Sequence, residues 1–341
     1  MENATPDPIV PDADPLQVEA APAEKRRLMR AWVYPLLVVA SFMVGLLIGN
    51  LAWGRQPRVS AAAGARATAA TQVPESHKQA IDVAALIEEV NPEQGFTLPV
   101  SYGDLGPALV KSGAIDYKKL AAVYVQGGDP LTPSQIEILK QGSTEPIVIT
   151  SANAHFLLNF LWAVGLANQN SILTAGPITT YSEGRVEQFA STGGWTLGSK
   201  PVKELFASTK LIELTPEQQA RVEEVAGEVY RPCCDNPTLF PDCNHGMAML
   251  GLLELMASKG ASIDEMLTAA KDVNAFWFPQ QTLETAIYLK VTQDVGFAQA
   301  DPRTVIGKQL SSGSGSGQLH SALQAGGFLP DSQDGGGGCG T

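Results

Sequence analysis

The run Ala31–Trp53, AWVYPLLVVASFMVGLLIGNLAW, holds no charged residue, and only Ser41 and Asn50 interrupt it as clearly polar groups. About 20 consecutive apolar residues cross a bilayer as a helix, so residues 31–53 are expected to form one transmembrane helix. Trp32, Tyr34 and Trp53 stand near its ends, where interfacial aromatics sit, and Pro35 falls in the first turn, where its missing N–H costs little. A secretory signal is the competing reading, but its apolar stretch is shorter, about 7–15 residues. Small residues follow at Ala61–Ala70, which leaves cleavage there open. Lys25, Arg26, Arg27 and Arg30 cluster more densely before the run than Arg55, Arg58 and Arg66 do after it. The positive-inside rule then makes residues 1–30 a cytoplasmic tail and puts the main body outside the cytoplasm, on a single-pass protein of the cell membrane. The lipid bilayer is the first partner this implies.

The 341 residues carry a formal net charge of −12. Sequence-independent nucleic-acid binding needs Lys and Arg to displace counterions, so no nucleic-acid partner is expected. Residues 54–80, rich in Ala, Pro and small polar residues, read as a linker. Ser311–Gly317 and Gly335–Gly338 offer almost no apolar surface, so residues 310–341 read as a Gly/Ser-rich flexible tail. Residues 81–309 remain, enough for one domain with a substantial core.

Helix punctuation dominates that domain. Thr132-Pro-Ser-Gln135 and Thr215-Pro-Glu-Gln218 each set an N-cap hydroxyl, a Pro at the first helical position and a Gln at the third. Ser262-Ile-Asp-Glu265 is a third capping box; Asp116 and Ser151 are placed to cap the helices that follow them. Met247–Met256 is apolar at most positions and reads as a buried helix. Strand signals are confined to Glu145–Thr150 and Ile178–Tyr181. The expected fold is mainly α: one N-terminal transmembrane helix, then an extracytoplasmic helical domain.

Chemistry concentrates in Arg231-Pro-Cys-Cys-Asp-Asn-Pro-Thr-Leu-Phe-Pro-Asp-Cys-Asn-His-Gly246, which holds three of the four cysteines and one of the four histidines. Thiolates and a neutral imidazole are the donors of soft and borderline metals, and a zinc-like ion takes three or four of them. Cys233, Cys234, Cys243 and His245 are therefore the candidate ligands, for zinc or copper. Cys339 is an auxiliary thiol on a Gly-rich tether, and His155 is the best ligand candidate outside the cluster. Pro232, Pro237 and Pro241 restrict the segment, and Asp242 lies where an N-cap belongs. A disulfide between the neighbours Cys233 and Cys234 is strained; one from Cys243 to either of them is easier, and spacing alone does not choose.

Pro232-Cys233-Cys234, Cys243, His245, the apolar helix and Gly260–Glu265 together resemble the bacterial extracytoplasmic PCYCGC-motif proteins, over about residues 220–280. Those are small Cys/His-rich domains, often lipoproteins. The resemblance implies an extracytoplasmic Cys/His domain in which Cys233, Cys234, Cys243 and His245 are the corresponding residues. The alternating Cys-x-Cys-x-Cys core and a lipobox cysteine are missing here.

Three functions compete. The first is metal binding for storage, delivery or sensing. The second is a disulfide-stapled scaffold that docks a membrane-protein partner. The third is thiol–disulfide exchange, for which a vicinal pair and Cys339 would have to replace the missing Cys-x-x-Cys. A non-enzymatic role fits better, since no general base or substrate pocket is evident. Gly193–Lys200 ends in Gly-Ser-Lys rather than Gly-Lys-Ser/Thr, so no nucleotide or other organic cofactor is indicated. Phe276-Trp-Phe-Pro279 reads as core packing ahead of a Pro-started helix, and the pairs Glu88/Glu89 and Glu223/Glu224 diverge on their helices.

Overall fold

The computed structural model describes residues 81–329. The expected membrane span 31–53, the tail 1–30, the linker 54–80 and Cys339 lie outside these residues. Among the described residues, no helix is long and apolar enough to cross a membrane.

The described chain is mainly helical. The helices of eight residues or more are α1 (Val83–Val90), α2 (Leu105–Ser112), α3 (Tyr117–Gln126), α4 (Pro133–Gln141), α5 (Ala154–Ala167), α6 (Pro216–Glu228), α7 (Asn244–Ser258), α8 (Ile263–Trp277), α9 (Pro279–Gln293) and α10 (Gly313–Ala325). Two strands, β1 (Phe96–Gly103) and β2 (Ser143–Ile149), form an antiparallel pair. Phe96 faces Ile149 and Gly103 faces Ser143, with irregular register between. Leu98, Val100 and Tyr102 alternate inward on β1, and Ile147 and Ile149 do so on β2.

All three capping boxes form. Thr132, Thr215 and Ser262 each accept the N–H three residues on, and Gln135, Gln218 and Glu265 each accept the cap N–H in return. Asp116 accepts from Lys118 and Lys119 at the start of α3. Each such cap contributes about 1 kcal/mol.

The core is built around α7. Every residue from Gly246 to Ala257 is buried, so this helix runs through the interior with α5, α6 and α8 packed on it. Its most extensive contact is with α5, where two glycines let the backbones meet. A Cβ on Gly251 would lie 2.4 Å from the Leu161 carbonyl oxygen, and one on Gly165 would lie 2.0 Å from that of Met247. These are backbone atoms and cannot swing aside. Gly251→Ala is therefore expected to destabilise the fold by roughly 1–3 kcal/mol. Gly227→Ala on α6, where an added Cβ meets nothing within 4 Å, should be neutral or stabilising through helix propensity. Denaturation midpoints of the two variants check the contrast; equal midpoints would remove the close-contact argument.

Several expectations need correction. Ile178–Tyr181 is not a strand but lies in the short helix Pro177–Ser182. Pro177 starts that helix, and the Thr180 hydroxyl bonds back to the Gly176 carbonyl at 3.1 Å. The cap of α5 is Asn153 rather than Ser151; its side chain accepts from Thr150 N–H at 2.8 Å and donates to Val148 O at 2.7 Å, fastening the helix start to β2. The tail reading of residues 310–341 fails for its first half. Gly313–Ala325 is helix, capped by Ser312, and it buries Leu319 and Leu323 on a face that packs against α9. Leu319 and Leu323, four apart on one face, supply the apolar contact that the Gly/Ser composition conceals. The folded body thus reaches 329 rather than 309.

Candidate metal centre

The segment between α6 and α7 is held at both ends before any cysteine chemistry is considered. Leu239 N–H bonds to Ala226 O at 2.8 Å and Thr238 N–H to Val229 O at 2.8 Å, which turns the chain back over the end of α6. Tyr230 N–H reaches Ile306 O at 2.8 Å, and Asn274 Nδ2 of α8 donates to Tyr230 O at 3.0 Å. The start of α10 closes the other side: Gly313 N–H donates to Cys234 O at 2.8 Å, and Ser314 N–H to Asp235 Oδ1 at 2.7 Å. So the stretch expected to belong to a flexible tail is a wall of the site.

Within this frame three sulfurs converge. Cys243 Sγ lies 3.2 Å from Cys233 Sγ and 4.0 Å from Cys234 Sγ. None of the three is disulfide-bonded, the shortest separation being well beyond an S–S bond of about 2.05 Å. The donor atoms of Cys233, Cys243 and His245 lie within 4.8 Å of one another, and so do those of Cys234, Asp242 and Cys243. The expected ligands thus fall into two triads that share Cys243, one completed by Cys233 and His245 and the other by Cys234 and Asp242. The group can hold a metal ion. His155 does not join: its ring stacks on Tyr124 at 5.1 Å and its Nε2 lies 3.2 Å from Asn159 Nδ2. It stands exposed in the first turn of α5 and is grouped with none of the cysteines, so its candidacy as a ligand is withdrawn.

Asp242 was expected to cap α7, and it does not. Cys243 is the cap, its sulfur accepting Gly246 N–H at 3.3 Å. Asp242 turns instead to Arg231, with Oδ1 3.0 Å from Nη2, and to Asn236, with Oδ2 2.7 Å from Nδ2. A guanidinium is a stronger partner for a carboxylate than a neutral amide N–H, and this decides the orientation.

Arg231 is the residue that sequence reasoning passed over. Its side chain is 1% exposed and spends its donors within the segment. Nε points at Cys243 Sγ at 3.0 Å, Nη1 at Asn236 O at 3.0 Å, and Nη2 at Asp242 and at Phe240 O. Burial opposes its charge, yet the thiols, Cys243 foremost, hold it protonated. The α7 backbone yields room for it: a Cβ on Gly246 would sit 2.3 Å from Nη2. The one sequence signal was an arginine directly ahead of Pro-Cys-Cys.

The charges divide unequally. Hydrogen bonds from Cys233 and Cys234, aided by Arg231, hold the Cys243 thiol well below its usual range, so this sulfur is the thiolate. Cys233 is pushed up by its bonds to Cys234 and Cys243 and by burial, and keeps its proton. His245 is lowered to about 4 by burial, with Cys243 opposing and Arg231 assisting. Its ring packs on Phe278 and Trp277 at 4.5 and 5.8 Å, and its Nδ1 is buried without a hydrogen-bond partner. A neutral imidazole with a buried, unpaired ring nitrogen beside thiols is what a metal ligand requires.

No protein-family model, curated protein or solved structure matches this chain. The functional reading therefore rests on the geometry.

Proposed function

We propose that this protein holds a soft or borderline metal ion, zinc or copper(I), through Cys233, Cys234, Cys243 and His245, for storage, delivery or sensing. The observation that carries the reading is His245, which has a buried, unpaired Nδ1 and a ring nitrogen within 4.8 Å of the Cys233 and Cys243 sulfurs. A buried polar atom left without a partner costs roughly 1–3 kcal/mol, a cost that coordination removes. Arg231 would donate to the metal-bound sulfur of Cys243, fixing it as an outer-shell partner does. The apolar run 31–53 would anchor the domain in the cell membrane with the site outside the cytoplasm. The resemblance to PCYCGC-motif proteins agrees with that location.

The test is elemental analysis of the full chain purified without chelator, with thiols counted after denaturation. About one ion per chain with reduced thiols is expected. His245→Ala should weaken binding by more than about 100-fold, beyond the loss that follows from removing an outer-shell partner. Metal-free protein with oxidised cysteines would overturn the reading.

Thiol–disulfide exchange is the second reading, favoured by one specific observation. Cys243 is a stabilised thiolate with a second sulfur at 3.2 Å, the arrangement of an attacking and a resolving thiol. Oxidised cysteines in metal-free protein, together with rapid alkylation of the reduced form, would move it ahead.

A further inference from the structure

A second cavity, of about 630 Å³, opens between α3, the start of α5 and the loop Gly194–Leu197. Its volume lies in the range of small-ligand sites, about 300–1,000 Å³. Asn244, between Cys243 and His245 in sequence, reaches its wall, yet nothing in the cavity depends on the metal reading.

The lining is aromatic. Tyr124 is buried with His155 stacked on it at 5.1 Å, and Trp162 meets Trp195 edge to face at 4.9 Å. The indole N–H groups of these rings are already engaged. Trp162 Nε1 donates to Ser191 O at 2.6 Å, and Trp195 Nε1 donates to Ala114 O at 2.9 Å. The Tyr124 hydroxyl accepts from Asn159 Nδ2 at 3.0 Å. What the two indoles offer a ligand is therefore carbon surface and π density, not hydrogen bonds.

Charge narrows the choice further. Asp129 is the one carboxylate among the lining residues, and no Lys or Arg is among them. It stands exposed at the rim, on a chain whose formal net charge is −12. An anion finds no Lys or Arg here, only the His155 ring already stacked on Tyr124, and the two indoles have no N–H left for a neutral sugar. A cation carrying apolar substituents matches both features, because π faces attract it and a carboxylate balances it.

We propose that this cavity binds a small organic cation of the alkylammonium class, with Tyr124, Trp162 and Trp195 as the aromatic walls and Asp129 as the counter-charge. The test titrates the full chain with choline and, separately, with its neutral isostere 3,3-dimethylbutan-1-ol, following tryptophan fluorescence and heat. Choline is expected to saturate the response and to bind about tenfold more tightly than the isostere. Asp129→Asn, an exposed position that leaves the fold alone, should weaken choline severalfold and leave the isostere unchanged. Equal binding of the two probes would overturn the proposal, as would no saturable response to choline at tens of millimolar. A choline affinity indifferent to Asp129→Asn would overturn the counter-charge.

Discussion

Arg231→Met is expected to cost about 3–5 kcal/mol of stability in reduced, metal-free protein, the usual loss when one member of a buried ion pair is removed. The guanidinium, 1% exposed, satisfies two backbone carbonyls, a carboxylate and a thiolate at once. Methionine fills much of the volume but leaves Asp242 and Cys243 without their cation and the Asn236 and Phe240 carbonyls without a donor. Arg231→Lys should recover only part of the loss, because a single ammonium restores charge but not the planar fork. A second readout separates this from ordinary core damage. Without its cation the Cys243 thiol should titrate higher, so alkylation near neutral pH should slow. Denaturation midpoints and alkylation rates against pH check both effects. A methionine variant as stable as the parent would mean that the guanidinium does not hold the segment together.

What could be read from the chain and what could not divide along a physical line. Capping boxes need only four consecutive residues, so Thr132, Thr215 and Ser262 were legible. The ligand candidates Cys233, Cys234, Cys243 and His245 were legible for the same reason: they sit in one short stretch between α6 and α7. Arg231 belongs to that stretch too, but its role arises from burial under α7, where Gly246 makes room for it. Asp242 was assigned to the helix start because a local rule places it there; a competitor from eleven residues upstream won it. The β1–β2 pairing joins residues separated by α2, α3 and α4, and no local pattern reports such a partner. The Gly/Ser stretch was misread because composition measures how much apolar surface a segment carries, not where two leucines land. At α10 those two leucines and the backbone bonds to Cys234 and Asp235 suffice.

Glu254 gives the second large effect. It lies midway along α7, wholly buried, and neither carboxylate oxygen makes a close hydrogen bond, Asn168 and Asn170 being the polar groups that draw on it. Asn168 stands close by, but its Oδ1 accepts from the Leu211 and Ile212 N–H groups, and its Nδ2 is likewise unpaired. Burial raises the Glu254 carboxyl from its ordinary 4.5 to about 8, against a smaller pull from Asn168 and Asn170. Below about pH 4.5 the group is protonated in both folded and unfolded chains and has no effect on the balance. Between 4.5 and 8 only the unfolded chain releases the proton, so stability falls as pH rises. Above 8 the loss levels off, at up to about 5 kcal/mol. Other groups bend the same curve. Asp272, raised to about 6 by burial against Lys271, acts in the same direction over the lower part of the window. His245, lowered to about 4, acts oppositely, because stability gained from its neutral form grows as pH rises from 4 to 6.5. Subtracting the curve of Glu254→Gln from that of the parent cancels both and leaves the glutamate alone. The difference should be small near pH 4.5 and should favour the glutamine variant by several kcal/mol at pH 8.5. A flat difference across that range would mean that the folded protein supplies Glu254 with a partner or with water. The core around α7 would then be less dry than its packing against α5 implies.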